Sequence, residues 1–290
     1  MISGFCGLLW LGGHRMKAAE RARSKSPFSE KLRRPAGESL RLKLEGVRDQ
    51  ISETTFVLIL AVMGPAVFMM LVRVSSSGLG WMINSVAVVL AISYAGRQWL
   101  KLKELRKELR KLALAFDGER YVAEELTGLM SRGYRVFHDF QVDWFPGRIF
   151  NVDHIAVGPE GVFAIETKTR RKLLGETRNE QARHKVYYDG RTLKYPDWES
   201  DEQLKQASDG ADVMSKWLRG TAKAPVEVVP VLVIPGWWVE RTGKGPVKVF
   251  SGKEVTKYLA DHGRPGALSP EDIQRLGDRI EAHCRNVEGA

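Results

Sequence analysis

The chain has 290 residues, 43% of them hydrophobic, and a net charge of +10. That length allows one large or two small domains with an ample core, and the basic excess suits a polyanion, either nucleic acid or the anionic face of a membrane. Two cysteines only, Cys6 and Cys284, stand at opposite ends without metal-ligand spacing, which argues against a disulfide framework and a zinc site and for a reducing compartment.

The first apolar patch, Phe5 to Leu11, is too short to span a bilayer and lacks the flanks of a secretory signal. Arg15 to Arg48 is rich in Arg, Lys and Ser with little periodicity, so residues 1–54 are expected to form a disordered basic arm. Thr55 to Val72 and Leu79 to Gly96 carry no charge, and each is long enough to cross a hydrocarbon layer of about 30 Å. With Arg73-Val-Ser-Ser-Ser-Gly between them, they read as a two-helix transmembrane hairpin over 55–96. Lys43 and Arg48 precede it and Arg97, Lys101 and Lys103 follow, whereas the connecting loop holds only Arg73. The positive-inside rule then puts the N-terminus and the following domain on the cytoplasmic side of a cell inner membrane. Leu102, Leu105, Leu109 and Leu112 form one apolar seam on a charged helix over 97–115, a juxtamembrane stalk or a homodimer contact.

A folded domain is expected over 116–262. Gly118-Glu119-Arg120 opens a helix with Val122, Leu126 and Met130 on its buried side, Tyr134 to Val142 is a strand, and Asp143 to Arg148 is a loop bearing Trp144 and Phe145. Next comes Asn-Val-Asp-His-Ile-Ala-Val-Gly-Pro-Glu-Gly-Val-Phe-Ala-Ile-Glu-Thr-Lys, residues 151–168: two β-rich runs around a Gly-Pro-Glu-Gly turn. A turn centred on Pro159 and Glu160 sets Asp153 directly opposite Glu166, with Cβ atoms about 5 Å apart. Lys168 joins them, because side chains two apart share a face, and His154 points the other way as a packing or hydrogen-bonding residue. Facing carboxylates repel, and a divalent cation relieves the repulsion. Oxygen ligands suit Mg²⁺ or Mn²⁺, which together with an adjacent ammonium suggests hydrolysis of a phosphodiester. The same three charges could also be ordinary strand-end residues with Glu166 paired to Lys168.

Beyond Lys168, Thr169 to His184 is basic and polar and could track a phosphate backbone. Val186 to Tyr195 is a second hairpin around Asp189-Gly190, Asp201 to Arg219 is a helix, and the nearly all-apolar Val226 to Ile234 is a central strand. Val247 to Phe250 is a further strand, Ser251 with Glu254 caps a helix through Leu259, and Ser269-Pro270-Glu271-Asp272 starts a C-terminal helix within 263–290. Trp237 and Trp238 flank a Pro-Gly turn and serve either as packing or as base-stacking residues.

Asp153 followed by Glu166-Thr167-Lys168 resembles the Asp…(Asp/Glu)-x-Lys core of the PD-(D/E)xK nuclease-like superfamily. Within it, the 151–168 segment is similar to the nuclease-related domain, NERD. The resemblance implies an α/β restriction-endonuclease-like mixed sheet flanked by helices, here preceded by the transmembrane hairpin. It also implies a metal-dependent nuclease acting on nucleic acid, DNA by expectation, with Glu119 adding to the metal site and Gln206 supporting it. The family often has Asn-Pro a few residues before that glutamine, where this chain has Ser200-Asp201-Glu202, so Gln203 stands beside Gln206 as a candidate. The alternative is a non-catalytic module that uses the same fold to bind nucleic acid or protein at the membrane.

Overall fold

The structure, a computed structural model, describes residues 32–71, 78–145, 148–172, 184–222, 225–261 and 267–286. Contacts divide the chain into units 1–33 and 34–290. Nearly all of the first unit, and so most of the expected disordered arm, lies outside the described residues.

The second unit begins with two long helices, α1 (Glu38–Leu71) and α2 (Gly78–Thr127), packed along one another. The arm expected to be disordered through residue 54 is therefore helical from Glu38. Arg41 pairs with Glu38 and Glu45 one turn away on either side, while Leu44 and Val47 are buried. Leu102 and Leu105 of the α2 seam are buried as well, whereas Leu109 and Leu112 are half-buried, and a homodimer contact is not supported.

The transmembrane hairpin is unsupported: among the described residues no helix is long and apolar enough to cross a membrane. Both apolar runs continue unbroken into charged helix, toward Glu38 on one side and past Arg97 on the other, instead of forming separate spans. The turn at 72–77, and the side chains of 66–81 and 83, lie outside the described residues.

α2 also runs straight through Gly118, so Glu119 sits inside a helix rather than at its start. An interior glycine costs a helix about 1 kcal/mol relative to alanine. Space explains it here, since a Cβ on Gly118 would stand 1.8 Å from Oγ1 of Thr169. Gly118→Ala is expected to recover the propensity term but displace Thr169, for a net loss of about 1–2 kcal/mol in urea melts. A gain in stability would show that Thr169 does not pack there. Because α2 stops at Thr127, Leu129 is buried in place of the expected Met130, which is exposed.

The strands follow. β1 (Arg135–Phe145), β2 (Arg148–Gly158) and β3 (Gly161–Thr167) form an antiparallel meander; β1 and β2 extend into the stretch expected as a loop, whose Trp144 and Phe145 side chains lie outside the described residues. β4 (Lys185–Tyr188), β5 (Leu193–Lys194), β6 (Glu199–Ser200) and α3 (Glu202–Trp217) lead into β7 (Val228–Val233), β8 (Trp238–Arg241) and β9 (Lys248–Phe250). Helices α4 (Gly252–Asp261) and α5 (Pro270–Asn286) end the described chain. The main sheet runs β1-β2-β3-β7-β9, with β7 and β9 parallel to β3; a smaller sheet runs β6-β5-β4-β8.

Alternation along β3 divides the core. Val162 and Ala164 join Ile155, Val157 and the α3 and α5 residues Met214 and Leu276, whereas Phe163 and Ile165 join Ala156 and the α2 and α4 residues Leu126 and Leu259. The sheet is thus covered by helices on both faces. Both cap sequences act at helix starts: the Ser251 amide donates to Glu254 Oε2 (3.1 Å), and the Asp272 amide to Ser269 Oγ (3.1 Å).

Candidate active site

The β2–β3 register, with His154 opposite Ile165 and Gly158 opposite Gly161, carries Asp153 to the level of Glu166 as the turn sequence requires. The β1–β2 register pairs His138 with His154 and Phe140 with Val152, so Asp139 falls level with Asp153. Three acids thus line up across neighbouring strands at one end of the sheet. All are buried, as is Glu119 on α2.

Each acid has its own means of being tolerated. The Thr167 amide donates to Asp153 Oδ2 at 2.8 Å, and Lys168 Nζ donates to Glu166 Oε1 at 2.6 Å. Lys168 is fixed at its backbone, where its amide continues the β3–β7 ladder to the Val233 carbonyl at 2.9 Å. Asp139 takes the positive φ of 50° that Asp tolerates better than most residues, which breaks the strand alternation and turns both Phe137 and Phe140 into one core cluster. Arg34 Nε donates to Asp139 Oδ2 at 2.7 Å, and the Ser39 amide donates to the same oxygen at 3.1 Å. Asn151, with its amide turned to satisfy both ends, donates to Asp139 Oδ1 at 3.1 Å.

Glu119 is different, since its Oε2 is buried without a hydrogen-bond partner. Burial, with Asp139 and Glu166 adding to it, pushes the Glu119 carboxyl up to about 8. Burial and then Glu166 and Glu119 raise Asp153 well above the carboxylate range, and burial raises Glu166 against the pull of Lys168. For Lys168 the burial effect, which lowers the ammonium, is outweighed by Glu166, Asp153 and Glu119, which together hold it above its ordinary value. Glu119, raised to about 8, holds its proton at neutrality, and the amine beside the acids stays charged.

His154 turns away from the acids, as the strand period requires. Its Nδ1 lies 2.9 Å from His138 Nδ1 and its Nε2 lies 3.2 Å from Thr167 Oγ1. Burial lowers both imidazoles, His138 to about 4, so the pair is neutral and supports Thr167 from behind.

The donor chemistry suits a divalent cation. Hard oxygen donors, three buried carboxylates raised above their ordinary values and one orphaned buried oxygen are what Mg²⁺ or Mn²⁺ would relieve. The ligand set is not already gathered: among the described residues no group of three or more His, Cys, Asp or Glu side chains is placed to hold a metal. The reason is visible in the hydrogen bonds, for Asp153 is drawn to the Thr167 amide and Glu166 to Lys168.

The family model for the nuclease-related domain matches residues 114–235, a span that holds Glu119, Asp153, Glu166, Lys168 and Gln206. This stretch is a nuclease-related domain. No curated protein and no solved structure matches the chain. The mixed sheet with helices on both faces fits a nuclease-like fold.

Other candidate residues fall less neatly. Gln206 is half-buried on α3, whereas its neighbour Gln203 accepts a hydrogen bond from the Tyr195 hydroxyl at 2.8 Å. Trp237 is a packing residue: buried edge-on against Tyr195, it donates Nε1 to the Arg170 carbonyl at 3.0 Å. Trp238 is exposed. Arg170, two residues past Lys168, lies over the Tyr195 and Trp198 rings and pairs with Asp197 at 2.8 Å. Most of the basic loop after it, residues 173–183, lies outside the described residues.

Sequence reasoning missed Asp139 and Arg34. The available signal was a lone acid in the interior of a β-rich run, Arg135 to Val142. Such a residue needs either solvent or a buried cation, and the cation comes from far back in the chain.

Proposed function

We propose that this protein is a membrane-attached, metal-dependent nuclease that hydrolyses phosphodiester bonds of nucleic acid, with DNA as its substrate. The observation that carries the reading is Asp153 opposite Glu166 with Lys168 bonded to Glu166, beside a buried Glu119 whose Oε2 has no partner. Asp153, Glu166 and Glu119 would hold Mg²⁺ or Mn²⁺, and the family name supports that assignment. Such an ion, when bound, polarises a phosphoryl oxygen and lowers the pKa of a coordinated water. Lys168 keeps its ammonium charged at the mouth of the site, where it positions the attacking water or stabilises charge developing on the phosphate. Gln206 is assigned a supporting role from α3.

A second reading is favoured by a specific contact. Because Lys168 already neutralises Glu166 at 2.6 Å, the same fold can persist as a non-catalytic module that binds nucleic acid. Full-length protein incubated with labelled single- and double-stranded DNA in Mg²⁺, Mn²⁺ or EDTA separates the two. Cleavage that needs the metal supports the nuclease; a salt-sensitive mobility shift without cleavage supports the module.

Attachment to the membrane is proposed for the far ends of α1 and α2, with the domain and the N-terminus cytoplasmic. Phe56, Ile59, Val62, Val89, Leu90 and Ile92 are exposed there, and clustered exposed apolar side chains mark interaction surfaces. The basic flanks at Lys43, Arg48, Arg97, Lys101 and Lys103 supply the orientation. The protein is expected in the membrane pellet; recovery in the soluble fraction would remove this part of the proposal.

A further inference from the structure

A cleft of about 640 Å³ opens where the edges of the two sheets meet α4, beyond the residues that match the nuclease-related domain except at Tyr188. Its size is that of a small-molecule site. The floor is apolar and aromatic: Tyr188, Val247, Val249 and Phe250 are buried, and Phe250 lies tilted against Tyr258, ring centroids 4.3 Å apart, with the Arg241 guanidinium 5.3 Å over its ring. Its rim is cationic, with Arg241, Lys244, Lys248 and Lys257 against a single acid, Glu254. Glu254 is already paired with Arg241 at 3.2 Å, so the lysines leave the cleft positive.

The walls are preformed. The loop over Thr242 to Gly245 rests directly on the turn after β4. A Cβ on Gly243 would stand 1.9 Å from the Asp189 carbonyl oxygen, and one on Gly245 2.2 Å from that of Gly190. The Thr242 amide donates to the Tyr188 carbonyl at 2.8 Å, and the Tyr188 hydroxyl to the Val247 carbonyl at 2.9 Å. Within that turn, Asp189 accepts from the Arg191 and Thr192 amides and from the Thr192 hydroxyl. Walls held this way cost little to order when a ligand enters.

A bare inorganic anion would satisfy the lysines and waste the floor, while an uncharged ring would do the reverse. We infer that this cleft binds a nucleoside phosphate, free or as the end of a nucleic-acid strand, its base against the apolar floor beside the half-buried Tyr258 and the Arg241 guanidinium and its phosphate among Lys244, Lys248 and Lys257. The inference rests on the cleft alone and is independent of whether the acids near Lys168 cleave anything.

Calorimetric titration of the full-length protein in EDTA, which stops metal-dependent cleavage, tests it with three probes: thymidine 5′-monophosphate, hexathymidylate and inorganic phosphate. Saturable binding of the mononucleotide is expected, weakened about tenfold or more by Lys244→Glu or Lys257→Glu, as for loss of a charged hydrogen bond. Asp153→Ala is expected to leave it unchanged. Tighter binding of the hexamer identifies a strand end, and equal binding a free nucleotide; both support the site. Binding of phosphate as tight as that of the mononucleotide, indifference to both lysine substitutions, or no binding of any probe would overturn it.

Discussion

Methionine in place of Arg34 is expected to cost about 3–5 kcal/mol of stability, the usual penalty for stranding one member of a buried ion pair. Arg34 reaches across more than a hundred residues of sequence to Asp139, which is fully buried, and gives it two donors, while its Nη2 also donates to Ser39 Oγ at 3.1 Å. Without the guanidinium, the fully buried Asp139 carboxyl loses both of these donors beside the already crowded Glu119. Arg34→Met combined with Asp139→Asn leaves no charge to desolvate, and most of the lost stability should return. Urea melts of the two variants decide the matter. A loss below about 1 kcal/mol for the single change, the worth of a surface pair, would mean that the contact is not formed in solution.

Asp153→Ala and Lys168→Ala are each expected to lower metal-dependent cleavage by about a hundredfold or more, the scale of removing one preorganised electrostatic group. The two should differ in stability. Burial, with Glu166 and Glu119 adding to it, raises the Asp153 carboxyl well above normal, so Asp153→Asn should stabilise the metal-free protein while abolishing cleavage. The amide oxygen can still accept from the Thr167 amide, which keeps the β2–β3 end intact. Lys168→Ala removes the partner of Glu166 and should destabilise. Cleavage surviving Asp153→Asn would remove the nuclease assignment.

The β2–β3 hairpin was legible because local chemistry decides it: a Gly-Pro-Glu-Gly turn fixes the register, and the register brings Asp153 to Glu166. The second hairpin at Asp189-Gly190 and the α4 and α5 caps are local for the same reason. What sequence left hidden depends on distant partners. Gly118 looked like a helix opener, yet it lies mid-helix because Thr169 occupies the space its side chain would need. Leu102 and Leu105 looked available for a second copy until Leu44 and Val47 were found buried along the same helix pair. β8 was unreadable since Trp238 to Arg241 has one buried residue, Val239, and pairs only with β4. Asp139 is an acid in a strand, and nothing local announces that Arg34 will neutralise it.

The central claim is that Asp153, Glu166 and Glu119 are held close enough together to repel, and that a cation relieves them. Burial, with Asp139 and Glu166 adding to it, raises Glu119 to about 8, so it carries a proton at neutral pH that a metal must expel to bind. Affinity should therefore climb as pH rises toward about 8, where Glu119 gives up its proton unaided, and climb less steeply above it. Titration of Mn²⁺ into the protein at pH 7, in buffers of different ionisation enthalpy, counts the protons directly. Saturable binding that releases about one proton or more per ion, and that is lost in Asp153→Ala, is the expected result. Absence of binding, or binding that releases no proton and persists in Asp153→Ala, would contradict it.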